Sequence, residues 1–141
     1  MPFHSSWSQR QISVMMLGAV APNPTKYFFC LADSSTLTET STAAAFFAAE
    51  LPIGINGYSR KYVAFTGPSI YDNATKTAMI PLQTITWTPV GGSLQFQTVF
   101  LVADGAATGA VGSIVMLNIE PQVTLRLAGQ PYQVEYSVSQ K

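Results

Sequence analysis

Charged residues are scarce in this chain of 141 residues, at 10% of the sequence, against about 25% in an ordinary soluble domain. The seven basic and seven acidic residues leave a formal net charge of zero. A surface with so few charges and no net charge repels other protein molecules only weakly. We therefore expect partner proteins to cover much of the surface.

The basic residues are scattered along the chain, without the basic stripe that nucleic-acid-binding proteins carry on one face. They are Arg10, Lys26, Arg60, Lys61, Lys76, Arg126 and Lys141. The sequence also lacks a run of about 18 apolar residues, which is the length that a membrane-spanning helix needs. It therefore predicts no nucleic-acid partner and no membrane partner.

The chain is poor in the side chains that enzymes and metal sites use, with one histidine and one cysteine. His4 lies near the terminus, where we expect a solvated side chain and a poor platform for a Ser-His-acid triad. Cys30 has no partner for an intrachain disulfide, and its apolar run, Tyr27–Ala32, predicts a buried and inert thiol. The sequence therefore predicts no enzyme activity, no catalytic residue and no cofactor.

No two acidic residues lie within two positions of each other, so the spacing of a calcium-binding loop is absent. One Cys and one His cannot complete a zinc site without carboxylates, and we expect the isolated acids to be surface groups or turn formers. Asp104–Gly112 is rich in small residues and lacks the Lys-Ser/Thr ending of a phosphate-binding loop. We expect it to be a flexible connection between two strands, and the sequence predicts no metal site.

Short apolar or alternating segments bounded by turn residues dominate the chain. Val123, Leu125 and Leu127, for example, alternate with polar residues, as in a half-buried strand. Seven or eight such strands, with turns at intervals of about 8 to 12 residues, predict a mainly β domain: an antiparallel sandwich or a jelly-roll or barrel-like fold. The predicted strands are Lys26–Ala32, Tyr58–Thr66, Thr77–Pro81, Thr84–Thr88, Leu94–Ala103, Ser113–Glu120, Val123–Ala128 and Tyr132–Val138.

One short helix is predicted over Thr42–Leu51, because alanines surround the two phenylalanines of this segment. Ser41 or Thr40 is the expected N-cap, and the Pro and Gly that follow end the helix. Residues 22–141 are predicted to form a single β-rich domain, preceded by an N-terminal arm over residues 1–21. The arm carries large aromatics that dock either on its own domain or on a neighbour. Within it, the apolar segment Gln11–Val20 fits a short helix or a buried strand equally well.

Three pieces of sequence occur in a familiar order. The first is Gly57-Tyr58-Ser59-Arg60, the second is Ala78–Pro81 with Ile85-Thr86-Trp87-Thr88, and the third is Val99–Gly105. This order resembles a group of small tailed-phage virion proteins, described as capsid cement (decoration) proteins or tail-fibre-like proteins. The resemblance covers Pro24 to Val138.

The resemblance implies a structural virion protein, with no catalytic residues to carry over. Its favoured role is a decoration protein that stabilises the phage head shell by binding the major capsid protein, at the capsid surface and as a homo-oligomer, with a trimer favoured. A tail or baseplate/fibre adaptor is the alternative. An alternative from another class is a carbohydrate-binding β-sandwich, which predicts an exposed aromatic platform or paired acids. Trp87 is a poor candidate for that platform, because its alternation with Ile85 places it in the core.

Two segments are longer than their counterparts in that group, Thr42–Leu51 and Asp104–Gly112, and we expect both to form contact surfaces together with the N-terminal arm. The predicted interface residues are Phe3, Trp7, Ile12, Val14, Met15, Phe46, Phe47, Thr108 and Val111. Arg60, which follows Gly-Tyr at the start of a strand, is expected to pair with a carboxylate or stack on an aromatic ring. Its predicted role is to lock the start of that strand.

Overall fold

The structure, a computed structural model, describes residues 3–18, 24, 26–63 and 70–140. In this part of the chain strands outnumber helices. The elements are α1 (Ser5–Met16), β1 (Tyr27–Ala32), α2 (Ala43–Ala49), β2 (Lys61–Val63), β3 (Ile70–Asp72), β4 (Thr77–Trp87), β5 (Leu94–Ala103), β6 (Ser113–Arg126) and β7 (Tyr132–Gln140).

The strands form two antiparallel sheets, one in the order β2-β1-β5-β6 and the other in the order β3-β4-β7. Ile85, Trp87 and Val134 of the smaller sheet share one buried cluster with residues of the larger sheet such as Phe29 and Phe96. The two sheets of the described residues do not close into a barrel. The predicted mainly β, sandwich-like fold is therefore confirmed.

The central strands β1 and β5 are buried on both of their faces. One face packs towards the smaller sheet, and the other carries Phe28, Cys30 and Phe100 against Phe46 of α2. A strand that is covered on both faces is apolar at nearly every position instead of at alternate ones. This burial explains the continuous apolar runs in the sequence of β1 and β5.

Two strands are longer than predicted, and each contains a proline. The predicted segments 77–81 and 84–88 fall in one strand, β4, which ends at Trp87, one residue before the predicted end. Its pairing with β7 shifts between Ile80 and Gln83. The predicted segments 113–120 and 123–128 likewise fall in one strand, β6, although it ends at Arg126, two residues before the predicted end. There Phe96 and Thr98 of β5 pair with Thr124 and Ile119, so extra residues of β6 bulge out between them. Pro81 and Pro121 lie at these irregularities, where a strand tolerates a residue without an N–H.

Two further strand predictions are corrected. Of the predicted strand 58–66, only Lys61–Val63 pairs, while residues 64–66 lie outside the described residues. β3, over Ile70–Asp72, was not predicted; its three residues are too few for a recognisable period.

The N-terminal segment contains a helix, so the described chain has two helices where one was predicted. Trp7 of α1 lies in the buried cluster between the sheets, so of the two predicted alternatives the aromatic residue docks on its own chain. Phe3 forms an antiparallel bridge with Met116, and the His4 N–H donates to the Val115 carbonyl at 2.8 Å. α1 therefore lies against the outer edge of β6. Of the predicted helix or strand over residues 11–20, Gln11–Met16 is helical, and residues 19 and 20 lie outside the described residues.

His4 is buried, so the expectation of a solvated histidine is wrong. Its Nδ1 atom accepts a hydrogen bond from the Ser6 N–H at 3.3 Å, which makes His4 the N-cap of α1. Its Nε2 atom lies 2.7 Å from the Ser41 carbonyl oxygen, and its ring packs edge-on against Phe46. The histidine therefore joins α1 to the loop before α2.

The predicted helix over residues 42–51 is shorter than expected. Thr42 is its N-cap, in place of the predicted Thr40 or Ser41, and its Oγ1 accepts from the Ala45 N–H at 3.2 Å. The backbone is already extended at Glu50, and Pro52 disfavours helical geometry at Leu51, which directly precedes it. Glu50 instead forms an antiparallel bridge with Ala32 at the edge of β1.

Candidate interaction surface

Arg60 is buried just before β2, and its guanidinium group binds four partners. Its Nε and Nη2 atoms donate to the two carboxylate oxygens of Glu50, at 2.8 and 2.6 Å. Nη1 and Nη2 also donate to the carbonyl oxygens of Ala106 and Gly109, both at 2.7 Å. The guanidinium carbon lies 5.1 Å from the ring centroid of Phe47. The expectation that Arg60 pairs with a carboxylate or stacks on an aromatic ring is confirmed, because it does both.

The two segments that were predicted as contact surfaces, residues 42–51 and 104–112, meet at Arg60. Phe47 and Glu50 belong to the first segment, and the two carbonyl acceptors belong to the second. In the loop over residues 104–112, which was expected to be a flexible connection, a buried cation binds the backbone at two points. The five residues 107–111 are exposed, and all are small or apolar. The result is a loop that is anchored at two carbonyls and has an uncharged outer surface.

Tyr58 completes the same buried cluster. Its hydroxyl donates to Glu50 at 2.8 Å and accepts from the Leu31 N–H at 3.0 Å. On the same edge of β1, Tyr27–Phe29 pair with β2, and Ala32 pairs with Glu50. The Leu31 N–H lies in the gap between these two pairings. Burial and the nearby carboxylate raise the pKa of the Tyr58 phenol, so it stays a hydrogen-bond donor. The Gly-Tyr-Ser-Arg motif thus supplies two side chains to one structural network.

Glu50 corrects the expectation that the acidic residues lie at the surface. Its side chain is only 5% exposed, and the Arg60 side chain is 2% exposed. No sequence signal identifies this pair, because Glu50 follows an alanine-rich helix and lies ten positions before Arg60. A carboxylate this deeply buried needs a cation and further hydrogen bonds, and Arg60 with Tyr58 provides both.

We expect the Tyr58→Phe substitution to lower the free energy of unfolding by about 1–3 kcal/mol, because it leaves the buried Leu31 N–H without an acceptor. Urea denaturation followed by tryptophan fluorescence measures the change. Tyr62→Phe is the matched control: this tyrosine is exposed on β2, and we expect no measurable change for it. Equal effects of the two substitutions would contradict the role given to the Tyr58 hydroxyl.

Cys30 is fully buried on β1, as predicted, and its thiol lies beside the same cluster. Burial, with the Glu50 carboxylate as the next contribution, raises the pKa of this thiol well above its usual value. Because the thiolate is the reactive form, we expect an aromatic disulfide reagent to leave Cys30 unlabelled in the folded protein. Labelling should follow global unfolding in urea, and rapid labelling of the native protein would contradict the structure.

The predicted interface residues divide into two groups. Phe3, Ile12, Val14, Met15, Thr108 and Val111 are exposed. Trp7 and Phe46 are buried in the chain's own core, which removes them from the surface in this structure, and Phe47 is half-buried against Arg60. The sequence could not separate the groups, since a large apolar side chain fits a core and an interface equally well.

The exposed part of α1 carries a contiguous apolar stripe. Ile12, Met15 and Met16 lie three and four positions apart, so they share one side of the helix, and Leu17 follows directly. Their exposed fractions run from 60% at Ile12 to 78% at Leu17. Met16 and Leu17 were not among the predicted interface residues. We call these four residues the α1 stripe.

A second set of exposed apolar residues was missed because it lies on a strand that was predicted to be half-buried. Val123, Leu125 and Leu127 are 50%, 49% and 53% exposed. The period of two was correct, but the apolar residues face outward, while Thr124 and Arg126 are the less exposed ones. Alternation shows that two faces differ, without showing which face is covered.

The positions of the two tryptophans bear on the alternative of a carbohydrate-binding β-sandwich. Trp87 is 1% exposed and its Nε1 atom donates to the Ser59 carbonyl at 2.9 Å, so it belongs to the core, as predicted. With Trp7 also buried, neither tryptophan offers a platform for a sugar ring.

Among the described residues, no group of three potential metal ligands comes together, and neither helix has the length and apolar character to cross a bilayer.

The chain matches no protein-family model, and a search of curated proteins found no similar sequence.

Proposed function

We propose that this chain is a structural protein of a virus particle, which acts by binding other virion proteins. Its favoured place is the capsid surface, as a decoration protein on the major capsid protein. The observation that carries the binding role is the α1 stripe, whose apolar side chains lie in solvent next to a well-packed core. A helix that buries one aromatic residue and exposes four large apolar ones is suited to a protein partner.

The charge distribution supports the same proposal. The zero net charge and the few charged residues give the surface little electrostatic selectivity and little repulsion. The uncharged loop over residues 107–111 adds a second surface for apolar contact, and the hydrogen bonds from Arg60 hold its backbone at two points without a partner. The viral part of the proposal rests on the resemblance carried by Gly57–Arg60, the Trp87 strand and Val99–Gly105.

A co-sedimentation experiment tests the proposal. Capsid shells prepared without the chain would be mixed with the purified wild-type protein or with the double variant Ile12→Gln, Met15→Gln. Glutamine keeps the helix propensity while removing apolar surface. We expect the wild-type protein to sediment with the shells, and the variant to bind about tenfold more weakly or worse. Gln9→Ala, an exposed polar position on the same helix, should bind as the wild-type protein does.

The outcomes separate the proposal from its rivals. Hundreds of copies per particle, counted from a gel of purified virions, are expected for a decoration protein, and a dozen or fewer would instead indicate the tail or baseplate role. A wild-type protein that binds neither shells nor tails would overturn the proposal. Unchanged binding of the double variant would overturn the part assigned to the α1 stripe.

A further inference from the structure

The strand β6 is the edge of the four-stranded sheet, and its two halves differ. Near its start, the bridge between Phe3 and Met116 and the hydrogen bond to Val115 cover the outer edge. After the bulge, Thr124–Arg126 pair on one side with Leu94–Phe96 of β5, and no other strand of the described chain pairs with them. We call residues 123–127, which extend one position beyond this pairing on each side, the distal β6 segment.

The backbone of the distal β6 segment is bonded to nearby side chains at positions that a neighbouring strand would use. The Leu125 carbonyl accepts from Arg126 Nη1 at 3.2 Å, and the Leu127 N–H donates to Gln130 Oε1 at 3.0 Å. Both of these side chains are exposed or only partly covered, so they exchange for another partner at little cost. The three apolar side chains of the segment are each about half exposed; Val123 and Leu125 point to the same face of the sheet, and Leu127 directly follows the end of β6.

We propose that the distal β6 segments of two copies of this chain pair antiparallel around a two-fold axis at Leu125. In this register Val123 of one copy lies opposite Leu127 of the other, and the two Leu125 residues face each other. Thr124 then lies opposite Arg126, so no like charges meet. Three apolar cross-strand pairs form on one face, and two four-stranded sheets become continuous.

The neighbouring registers are less favourable. Centring the pair on Arg126 would place two guanidinium groups opposite each other, which destabilises a strand pair. Centring it on Thr124 would bring Pro121, which has no N–H to donate, opposite Leu127. The net charge of each copy is zero, so electrostatic repulsion between two copies is weak. A second copy is therefore an occupant that the segment suits in apolar surface and charge, with Leu125 as the favoured centre of the register.

Disulfide trapping tests the register. In an antiparallel pair, opposite Cα atoms lie about 4.5–5.5 Å apart, which is within the range of about 4.4–6.8 Å that a disulfide spans. We expect Leu125→Cys to form a covalent dimer under mild oxidation. Val123→Cys alone should not, whereas the double variant Val123→Cys, Leu127→Cys should. Cys30 is fully buried and does not contribute, and Val90→Cys, exposed on a nearby turn, is the control that should stay uncoupled.

Sedimentation equilibrium tests the association itself. We expect a concentration-dependent dimer for the wild-type protein and a dissociation constant about a hundredfold higher for Leu125→Lys, because like charges then face each other. Val90→Lys should leave the dimer intact. A monomer at every concentration, a strict trimer, or equal trapping of Leu125→Cys and Val90→Cys would overturn the inference. The dimer does not require a virion role, so failure of shell binding leaves it standing.

Discussion

Replacing Arg60 by alanine should lower the free energy of unfolding by about 3–5 kcal/mol, because it leaves the buried carboxylate of Glu50 without its cation. The same substitution removes the donors to Ala106 and Gly109 and the packing against Phe47. Urea denaturation gives the free energy. Hydrogen exchange gives a second and local measure. In the variant, the exchange rates of the amides of residues 106–111 should rise above their wild-type values by a larger factor than those of β5.

Two further variants separate the charge from the geometry at Arg60. Arg60→Lys keeps the positive charge but lacks the planar fork that binds Glu50 with two nitrogens, so we expect a smaller but clear loss of stability. In the double variant Glu50→Gln, Arg60→Met neither buried charge remains. The decrease in its free energy of unfolding should therefore be smaller than the sum of the decreases caused by Glu50→Gln and Arg60→Met alone. An Arg60→Ala protein within about 1 kcal/mol of the wild-type protein would contradict the role of this network.

The second large effect is expected at Gly112, the last residue of the anchored loop over residues 104–112. A Cβ atom on Gly112 would lie 2.5 Å from the Val102 side chain and 2.7 Å from the Ala103 carbonyl oxygen, and its φ of +115° disfavours any other residue. Both contacts involve the central strand β5, which has little room to move. We expect Gly112→Ala to lower the free energy of unfolding by about 3 kcal/mol, as the sum of backbone strain and overpacking.

Gly109 provides the matched control within the same loop. Its φ is also positive, at +81°, but an added Cβ would meet no atom within 4 Å. Gly109→Ala should therefore cost only the conformational strain, about 1–2 kcal/mol. Thermal or urea unfolding of the two variants measures the difference between them. If Gly109→Ala proved as damaging as Gly112→Ala, the close contact at Gly112 would not be the cause.

The elements that could be predicted from the sequence are those whose own residues contain the signal. The apolar runs of β1 and β5 predicted buried strands, and the alternation of Ile85 with Trp87 placed the tryptophan in the core. The high helix propensity of the residues in Thr42–Leu51 predicted α2. In each case, a property of adjacent residues determined the outcome.

The features that were missed depend on contacts between distant segments. Arg60 anchors a loop that lies 46 and 49 positions away through main-chain carbonyls, which have no sequence signature. His4 looked like a terminal residue until Ser41 and Phe46 were placed beside it. The outward face of Val123, Leu125 and Leu127 depends on which side of the strand receives the other sheet. Such facts follow from tertiary packing, so local patterns could not supply them.

The anchoring of the loop through its carbonyls has a consequence for how its outer surface can change. Arg60 binds oxygen atoms that every residue type possesses, and the side chains of residues 107, 108, 110 and 111 point to solvent. Substitutions at these four positions therefore alter the chemistry offered to a partner without removing either hydrogen bond. The loop is a place where binding preference can diverge, or be redesigned, while the fold beneath it stays the same.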